Sequence, residues 1–213
     1  MEANFWHQMW NSGVVGFHQS DVNDFLKTHW SKLNLQGNEN VLVPLCGKSL
    51  DMIWLAQQGH AVLGVELSPK ALDEFIAENQ LTAEPIEQGN HCGYKLADMT
   101  LLCGDFFHLT AEQCTDIQVV YDRAALVALP PEMRKRYVTH LQNILPEGSQ
   151  LLLVTLEYDQ KQMPGPPFSV TEQEVMALFS PFAQVKKVEE VSFKRKGTPA
   201  LEKVFMIQTK ASS

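Results

Sequence analysis

Gly47 and Glu66 have the types and spacing of a nucleotide-type cofactor site. Gly47 follows a short apolar run that begins at Val41, and Glu66 ends a second apolar run about 20 residues later. In a nucleotide-binding βαβ unit, this interval places an acid against a ribose. Gly47 is the only glycine of the expected Gly-x-Gly-x-x-Gly turn, so no pyrophosphate cradle is evident. The spacing therefore indicates a cofactor that has a ribose but no phosphate, such as S-adenosylmethionine.

Other candidate site residues follow the ends of predicted strands. Ligands of open parallel sheets lie beyond the carboxyl ends of the strands. The residues at or just after these ends are here Leu45, Glu66, Asp105 and Arg123. Leu45 would present its backbone to the cofactor. Asp105 could orient an adenine ring, or could simply belong to a Gly-Asp turn. Arg123 could stabilise an anionic acceptor without acting as a general base, or could be a structural arginine paired with Asp122.

The aromatic N-terminal run contains two tryptophans with different expected roles. Trp6 is expected mainly to pack a helix face on the domain. Trp10 precedes the glycine-bearing segment 11–18, which could fold over a site and would bring Phe17 with it. An indole face attracts a sulfonium by about 0.5 to 2 kcal/mol, and a covered site excludes water. We therefore predict that Trp10 and Phe17 line the pocket.

These residues require an α/β scaffold. Buried strands alternate with amphipathic helices up to the apolar strand 150–156, which predicts a parallel sheet with helices on both faces. Segment 86–103 is predicted to form a strand or a hairpin. Segments near 183–193 and 203–209 have no helix between them and must pair antiparallel. We expect one domain over residues 1–213, with residues 1–35 as a helical cap and lid in which Ser20 is the N-cap of a helix.

The composition favours a small-molecule partner. A formal charge of −8 and a pI near 5.3 oppose nucleic-acid binding. No apolar run is long enough to span a membrane, and no N-terminal leader is evident, so we expect a soluble, cytoplasmic protein. Four cysteines lack a Cys-x-x-Cys pair and are expected to be reduced, and the evenly spaced His7, His18 and His29 lack metal-ligand spacing, so no metal is expected.

Four sequence blocks and the closing strand, in this order, resemble the thiopurine S-methyltransferase family in its compact bacterial form. They are VPLCGKSLD (43–51), GVELS (64–68), YDRAAL (121–126), PGPPF (164–168) and LEKVF (201–205). The resemblance implies a Rossmann-like class I methyltransferase fold with a mostly parallel seven-stranded sheet and a C-terminal antiparallel hairpin. It implies cofactor contacts at Trp10, Leu45, Glu66 and Arg123, a place for Phe17 in the substrate lid, and a monomer.

The resemblance leaves one segment and several functions open. Residues 194–196, Lys-Arg-Lys, fall where the family has a variable loop, and a solvated charge run is the competing interpretation. The implied activity is methyl transfer from S-adenosylmethionine to the sulfur of thiopurines or similar thiols. Bacterial relatives are also associated with selenium and tellurium species. A nicotinamide oxidoreductase is disfavoured by the missing glycine fingerprint and by the closing hairpin, and a non-catalytic cofactor-binding protein is disfavoured because all the family positions that can be placed are filled.

Overall fold

The computed structural model describes residues 3–13 and 18–210, which form an α/β domain. Nine strands of this part of the chain pair in one sheet with the order β3-β4-β5-β2-β1-β6-β7-β9-β8. The helices are α1 Ala3–Ser12, α2 Asp24–His29, α3 Asp51–Gln57, α4 Pro69–Glu78, α5 Pro131–Ile144 and α6 Glu172–Phe179. The strands are β1 Asn40–Pro44, β2 Ala61–Glu66, β3 Glu84–Gln88, β4 His91–Lys95, β5 Met99–Cys103, β6 Ile117–Arg123, β7 Gln150–Tyr158, β8 Ala183–Arg195 and β9 Thr198–Thr209.

The sheet has a parallel centre and antiparallel edges. Strands β5, β2, β1, β6 and β7 run parallel, while β9 pairs antiparallel with β7 and β8. The predicted class and the C-terminal hairpin are confirmed. The predicted count of seven strands is wrong for the described residues, because hairpin β3–β4 adds two antiparallel strands beside β5. Strand β3 is exposed along almost its whole length and so carries no hydrophobic pattern that would mark it as part of the sheet.

Two apolar clusters cover the two faces of the sheet. On one face, α5 and α6 pack against the central strands with Tyr137, Leu141 and Phe179. On the other face, α2, α3 and α4 contribute residues such as Leu26 and Phe75 to a second cluster. Burial on both faces explains the nearly continuous apolar sequence of the central strands, since each side chain meets a helix whichever way it points. The helices therefore cover the faces of the central strands and leave the carboxyl ends of those strands open for a ligand.

The segment before β1 is joined to the sheet by a buried carboxylate. Helix α2 begins after Asn23, whose side chain accepts hydrogen bonds from the N–H groups of Phe25 and Leu26. The prediction of Ser20 as its N-cap is therefore wrong. Asp51 accepts a hydrogen bond from the N–H of Asn23 at 2.8 Å and another from the Tyr121 hydroxyl at 2.9 Å. Because Asp51 is only 2% exposed, this bridge fixes the start of α2 on the sheet.

Three further findings bear on the sequence predictions. All four cysteines are free thiols, as expected. Within residues 3–13 and 18–210, no three His, Cys, Asp or Glu side chains are grouped so that they could hold a metal ion. No helix in that part of the chain combines the length and apolar character needed to cross a membrane.

Candidate cofactor and acceptor site

A cavity of about 260 Å³ lies beyond the carboxyl ends of the parallel strands. Strands β1 and β6 are neighbours in the sheet although they are not successive in sequence, so strand order reverses between them and opens a crevice there. Five predicted site residues line this one cavity: Trp10, Leu45, Glu66, Asp105 and Arg123. The sixth, Phe17, lies outside the described residues. The neighbouring residues His18 and Gln19 line the cavity.

The two strands that flank the crevice both end in left-handed backbone. Leu45 follows β1 with φ of +49°, and Ala124 follows β6 with φ of +74°. Residues other than glycine are rare in this region, and each such conformation costs on the order of 1 kcal/mol or more. The N–H of Cys46 donates to the carbonyl oxygen of Val65 at 3.0 Å, which holds the turn after Leu45 against β2. The chain thus turns sharply away at both strands, and the site occupies the space that this leaves.

Glu66 is buried at the end of β2 and is held by two backbone groups. Its carboxylate accepts from the N–H of Gly47 at 2.9 Å and from the N–H of Ser68 at 2.8 Å, one bond to each oxygen. Burial raises the pKa of Glu66, and these hydrogen bonds oppose that shift. A carboxylate has about four acceptor sites, so each oxygen can accept one more hydrogen bond. The second pair of sites suits the two hydroxyls of a ribose.

Trp10 covers the glycine turn after β1. Its side chain is 2% exposed, and a Cβ built on Gly47 would lie 3.0 Å from the indole Cζ2. Gly47 also has a positive φ of +52°. Glycine is required here both for the backbone conformation and for the close approach of the indole. Helix α1 therefore borders one side of the cavity with the indole of Trp10 against the glycine turn, and Trp6 from the same helix also lines the cavity.

One carboxylate oxygen of Asp105 has a local role in capping a turn, which is one of the two interpretations of the Gly-Asp sequence. Its Oδ1 accepts from the N–H of Phe107 at 3.0 Å and caps the short 3₁₀ turn Phe106–His108. The Phe107 ring, in turn, is covered by the Arg136 guanidinium, whose Cζ lies 3.8 Å from the ring centroid. Phe107 and Arg136 also line the cavity and were not predicted, because no local pattern connects a residue of α5 with this turn.

Arg123 and Asp122 point to opposite faces of β6. Asp122 accepts from the Tyr137 hydroxyl at 2.7 Å and from the N–H groups of Ala125 and Leu126 at 3.2 and 3.1 Å. Burial raises the pKa of Asp122 to about 6, against the effect of these hydrogen bonds. The bonds engage both carboxylate oxygens on the α5 side, so the alternative that pairs Asp122 with Arg123 is wrong. Arg123 lines the main cavity and a smaller one of about 110 Å³ beside it.

The three residues of the basic segment 194–196 lie in different environments. Strand β8 ends at Arg195, and Lys196 and Gly197 form a two-residue turn with φ of +50° and +86°. Positive φ at both positions is typical of the type I′ hairpin turn. Lys194 and Lys196 are exposed, as a solvated charge run would be, whereas Arg195 is half-buried and lines the smaller cavity.

The residues around the main cavity fit S-adenosylmethionine better than a dinucleotide. Lys48 follows the glycine turn, but its ammonium is bound to Glu74 at 2.8 Å and to Glu78 at 2.7 Å, so its charge is already neutralised. The turn thus has neither the glycines nor a free-standing cation for a pyrophosphate. Glu66 and Trp10 provide instead an acceptor for hydroxyls and an aromatic face for a cation.

The strand order, the acid that ends β2 and the cavity beyond the strand ends define a class I S-adenosylmethionine-dependent methyltransferase. The fold is similar to that of a methyltransferase from Anabaena variabilis, with a TM-score of 0.67, 18% identity and coverage of 98% of this chain and 95% of that one. It is also similar to magnesium protoporphyrin IX methyltransferase from Synechocystis, with a TM-score of 0.65, 16% identity and coverage of 98% and 100%.

The family model of thiopurine S-methyltransferase matches residues 1–210. A thiopurine S-methyltransferase of Pseudomonas fluorescens Pf0-1 is 52% identical over 190 residues, which are 89% of this chain and 87% of the relative. One from Pseudomonas aeruginosa UCBPP-PA14 is 49% identical over 189 residues, with the same coverage. The chain belongs to the thiopurine S-methyltransferase family. It is an S-adenosylmethionine-dependent methyltransferase, as the sequence predicts.

Proposed function

We propose that the protein transfers the methyl group of S-adenosylmethionine to the sulfur of a thiopurine or a similar aromatic or heterocyclic thiol. The observation that carries the proposal is the position of Arg123 where the two cavities meet. The larger cavity suits the cofactor, and the smaller one lies beside it with a guanidinium between them. The names of the relatives at about half identity support the choice of sulfur.

The chain's own residues divide the work of binding between the two cavities. Glu66 accepts the ribose hydroxyls, Leu45 offers its backbone, and Asp105 orients the adenine with the oxygen that does not cap the 3₁₀ turn. When bound, S-adenosylmethionine would supply a methyl carbon on a positive sulfonium, and the electron pair of the C–S bond would remain on the sulfur of the donor. Trp10 covers the sulfonium region and excludes water, which strengthens the electrostatic interactions inside the site.

Arg123 assists the acceptor. A thiol attacks best as its anion, and a guanidinium close to the sulfur favours the thiolate over the thiol. A guanidinium is not a general base, so Arg123 stabilises the anion without accepting the proton, which passes to solvent. Its contact with the cofactor cavity also lets it align acceptor and donor for an in-line displacement, which is the main requirement of this reaction.

The remaining functional assignments extend the same proposal. Phe17 belongs to the substrate lid, and residues 1–35 form the cap and lid of a single domain over residues 1–213. The protein acts on small molecules as a cytoplasmic monomer and binds neither nucleic acid nor membrane. Selenium or tellurium acceptors are the alternative, because a soft anion of either element would meet the same guanidinium.

The test compares Arg123→Met with the wild type in methyl transfer to 6-mercaptopurine. The pH dependence of kcat reports the pKa of the bound acceptor. We expect its acid limb to move up by about one pH unit or more in the variant, since a unit charge a few ångströms from the sulfur is lost. Lys135→Met, which removes an exposed charge on α5, is the control and should keep the wild-type profile.

Two outcomes would contradict the proposal. An unchanged acid limb in Arg123→Met would remove the role of Arg123 in stabilising the anion. A wild-type protein that binds S-adenosylhomocysteine but methylates no thiol would exclude the thiol acceptor, and turnover of benzeneselenol in the same assay would then favour the selenium alternative.

A further inference from the structure

Three charged side chains lie on one face of the sheet beside the cofactor cavity. Arg123 pairs with Val154, and Glu202 pairs with Leu156, which lies two residues further along β7. Arg195 pairs across the hairpin with the residue four positions before Glu202. Paired residues share a face and side chains alternate along a strand, so the register places Arg123, Glu202 and Arg195 on the same side.

The smaller cavity collects these three groups. Arg123, Arg195 and Glu202 all line it, together with apolar side chains such as Val154 and Leu156. It shares Arg123 and Ala124 with the larger cavity, so the two are adjacent at the strained end of β6. An acceptor bound in the smaller cavity would therefore have its reacting atom beside the methyl donor.

Glu202 sets the charge of this cavity. Burial raises the pKa of Glu202, and the guanidinium groups of Arg123 and Arg195 oppose that shift. With the carboxylate ionised, two positive charges and one negative charge face the cavity. An acceptor with one negative charge complements this set, whereas a second negative charge would meet the carboxylate. A carboxylate is also an acceptor-only group and suits an N–H donor on the ligand.

We propose that the smaller cavity is the acceptor subsite and that Glu202 determines its specificity, by accepting a hydrogen bond from a ring N–H of a heterocyclic thiol and repelling acceptors that carry a second anionic group. The inference rests on the proposed function, because it assumes a thiolate beside Arg123. It goes beyond that function by assigning the choice among thiol acceptors to one side chain, Glu202.

The experiment measures kcat/KM of Glu202→Gln for three thiols. 6-Mercaptopurine has the sulfur and ring N–H groups, benzenethiol has the sulfur alone, and 2-mercaptobenzoate adds a second anion. We expect the preference for 6-mercaptopurine over benzenethiol to fall about tenfold, since the ring N–H loses its charged acceptor and keeps at most the neutral oxygen of the amide. The activity on 2-mercaptobenzoate relative to benzenethiol should rise several-fold.

Glu157→Gln is the matched control. Glu157 lies on the same strand pair but faces the other side of the sheet, where its carboxylate binds Lys203 at 2.7 Å. The Glu157→Gln variant also replaces a carboxylate by an amide. It should leave the preference for 6-mercaptopurine over benzenethiol, and the activity on 2-mercaptobenzoate relative to benzenethiol, within about twofold of wild type. Glu202→Asp, which withdraws the carboxylate by one methylene, is expected to shift the preferences in the same direction as Glu202→Gln and serves if that variant folds poorly.

Binding of S-adenosylhomocysteine should remain within a few-fold of wild type in Glu202→Gln, because Glu202 does not line the cofactor cavity. Equal losses with all three thiols, or wild-type preferences in Glu202→Gln and Glu202→Asp, would overturn the specificity role. A wild-type enzyme that methylates none of the thiols would instead overturn the proposed function itself, and the two failures are distinguished by the wild-type rates.

Discussion

Replacing Glu66 with alanine removes a carboxylate that we assign to the ligand rather than to the core. Two of its acceptor sites are taken by the N–H groups of Gly47 and Ser68, which leaves two for the ribose. A hydrogen bond to a charged group contributes about 1.5 to 3 kcal/mol, so the loss of two such bonds weakens cofactor binding by at least about 3 kcal/mol. This corresponds to an increase in Kd of roughly 150-fold.

The effect of Glu66→Ala on stability should be small. Burial raises the pKa of Glu66 in the folded protein, so its ionised form opposes folding at neutral pH, and removing it relieves that cost. The freed N–H of Gly47 lies at the cavity, where water can reach it, and the relieved burial of the carboxylate offsets the lost partner of the Ser68 N–H, which is buried. We expect the free energy of unfolding to change by about 1 kcal/mol or less.

Glu39→Ala provides the matched control. Glu39 is 7% exposed and also accepts hydrogen bonds from two backbone N–H groups, those of Gln36 and Gly37. It precedes β1, so it lies at the amino ends of the parallel strands, away from the cofactor cavity at their carboxyl ends. Burial alone would raise its pKa, but these hydrogen bonds lower it overall, so its ionised form stabilises the fold. Glu39→Ala should therefore lose about 1 kcal/mol of stability or more and keep its affinity for the cofactor.

Isothermal titration with S-adenosylhomocysteine and urea unfolding of both variants would test the reasoning. The expected pattern is a crossed one: Glu66→Ala loses affinity, and Glu39→Ala loses stability. If Glu66→Ala lost affinity and stability to the same extent, or bound the ligand as tightly as wild type, the assignment of Glu66 to the ribose would be refuted.

Two further predictions concern the glycine turn and the buried acid of β6. Gly47→Ala should weaken S-adenosylhomocysteine binding because the new Cβ would press on Trp10. Gly148→Ala, at φ of +77° with nothing within 4 Å of the new Cβ, should lose about 1 kcal/mol of stability by backbone strain alone. Isothermal titration and urea unfolding of both variants separate these effects, and equal affinities of the two variants for S-adenosylhomocysteine would contradict the contact with Trp10. Asp122 has a pKa of about 6 against 3.8 in its ordinary state, so the folded protein holds its proton more tightly and stability falls by about 2 kcal/mol as pH rises from 4 to 6. Asp122→Asn, which keeps a hydrogen-bond partner for Tyr137, should lose this pH dependence in urea unfolding between pH 4 and 7; a constant difference from wild type over that range would be inconsistent with a raised pKa.

The parts of the site that follow from local rules could be predicted from the sequence. The interval from Gly47 to Glu66 is set by the length of a βα unit, and carboxyl ends of parallel strands always meet at one edge, so Leu45, Asp105 and Arg123 were brought to one cavity as expected. The closing hairpin followed from two strand patterns without a helix between them. Each of these inferences needs only sequence spacing and strand direction.

The rest depends on contacts between distant segments. Ser20 and Asn23 are both good N-cap residues. Asn23 is the N-cap because its own N–H donates a hydrogen bond to the distant Asp51, which fixes the start of the helix there. The Arg136 contact with Phe107 joins α5 to a strand-end turn. Arg195 enters a cavity only because of the register between β8 and β9, which an alternating pattern does not determine.

The Asp51 bridge divides the N-terminal region into two parts with different freedom to change in evolution. From Asn23 onward, the chain shares buried hydrogen bonds with the sheet, so substitutions there cost stability of the whole domain. Helix α1 instead reaches the cofactor cavity chiefly through Trp6 and Trp10, with the indole of Trp10 against Gly47. Substitutions in α1 should therefore change the cofactor cavity more than the stability of the folded core, while substitutions from Asn23 onward should do the reverse.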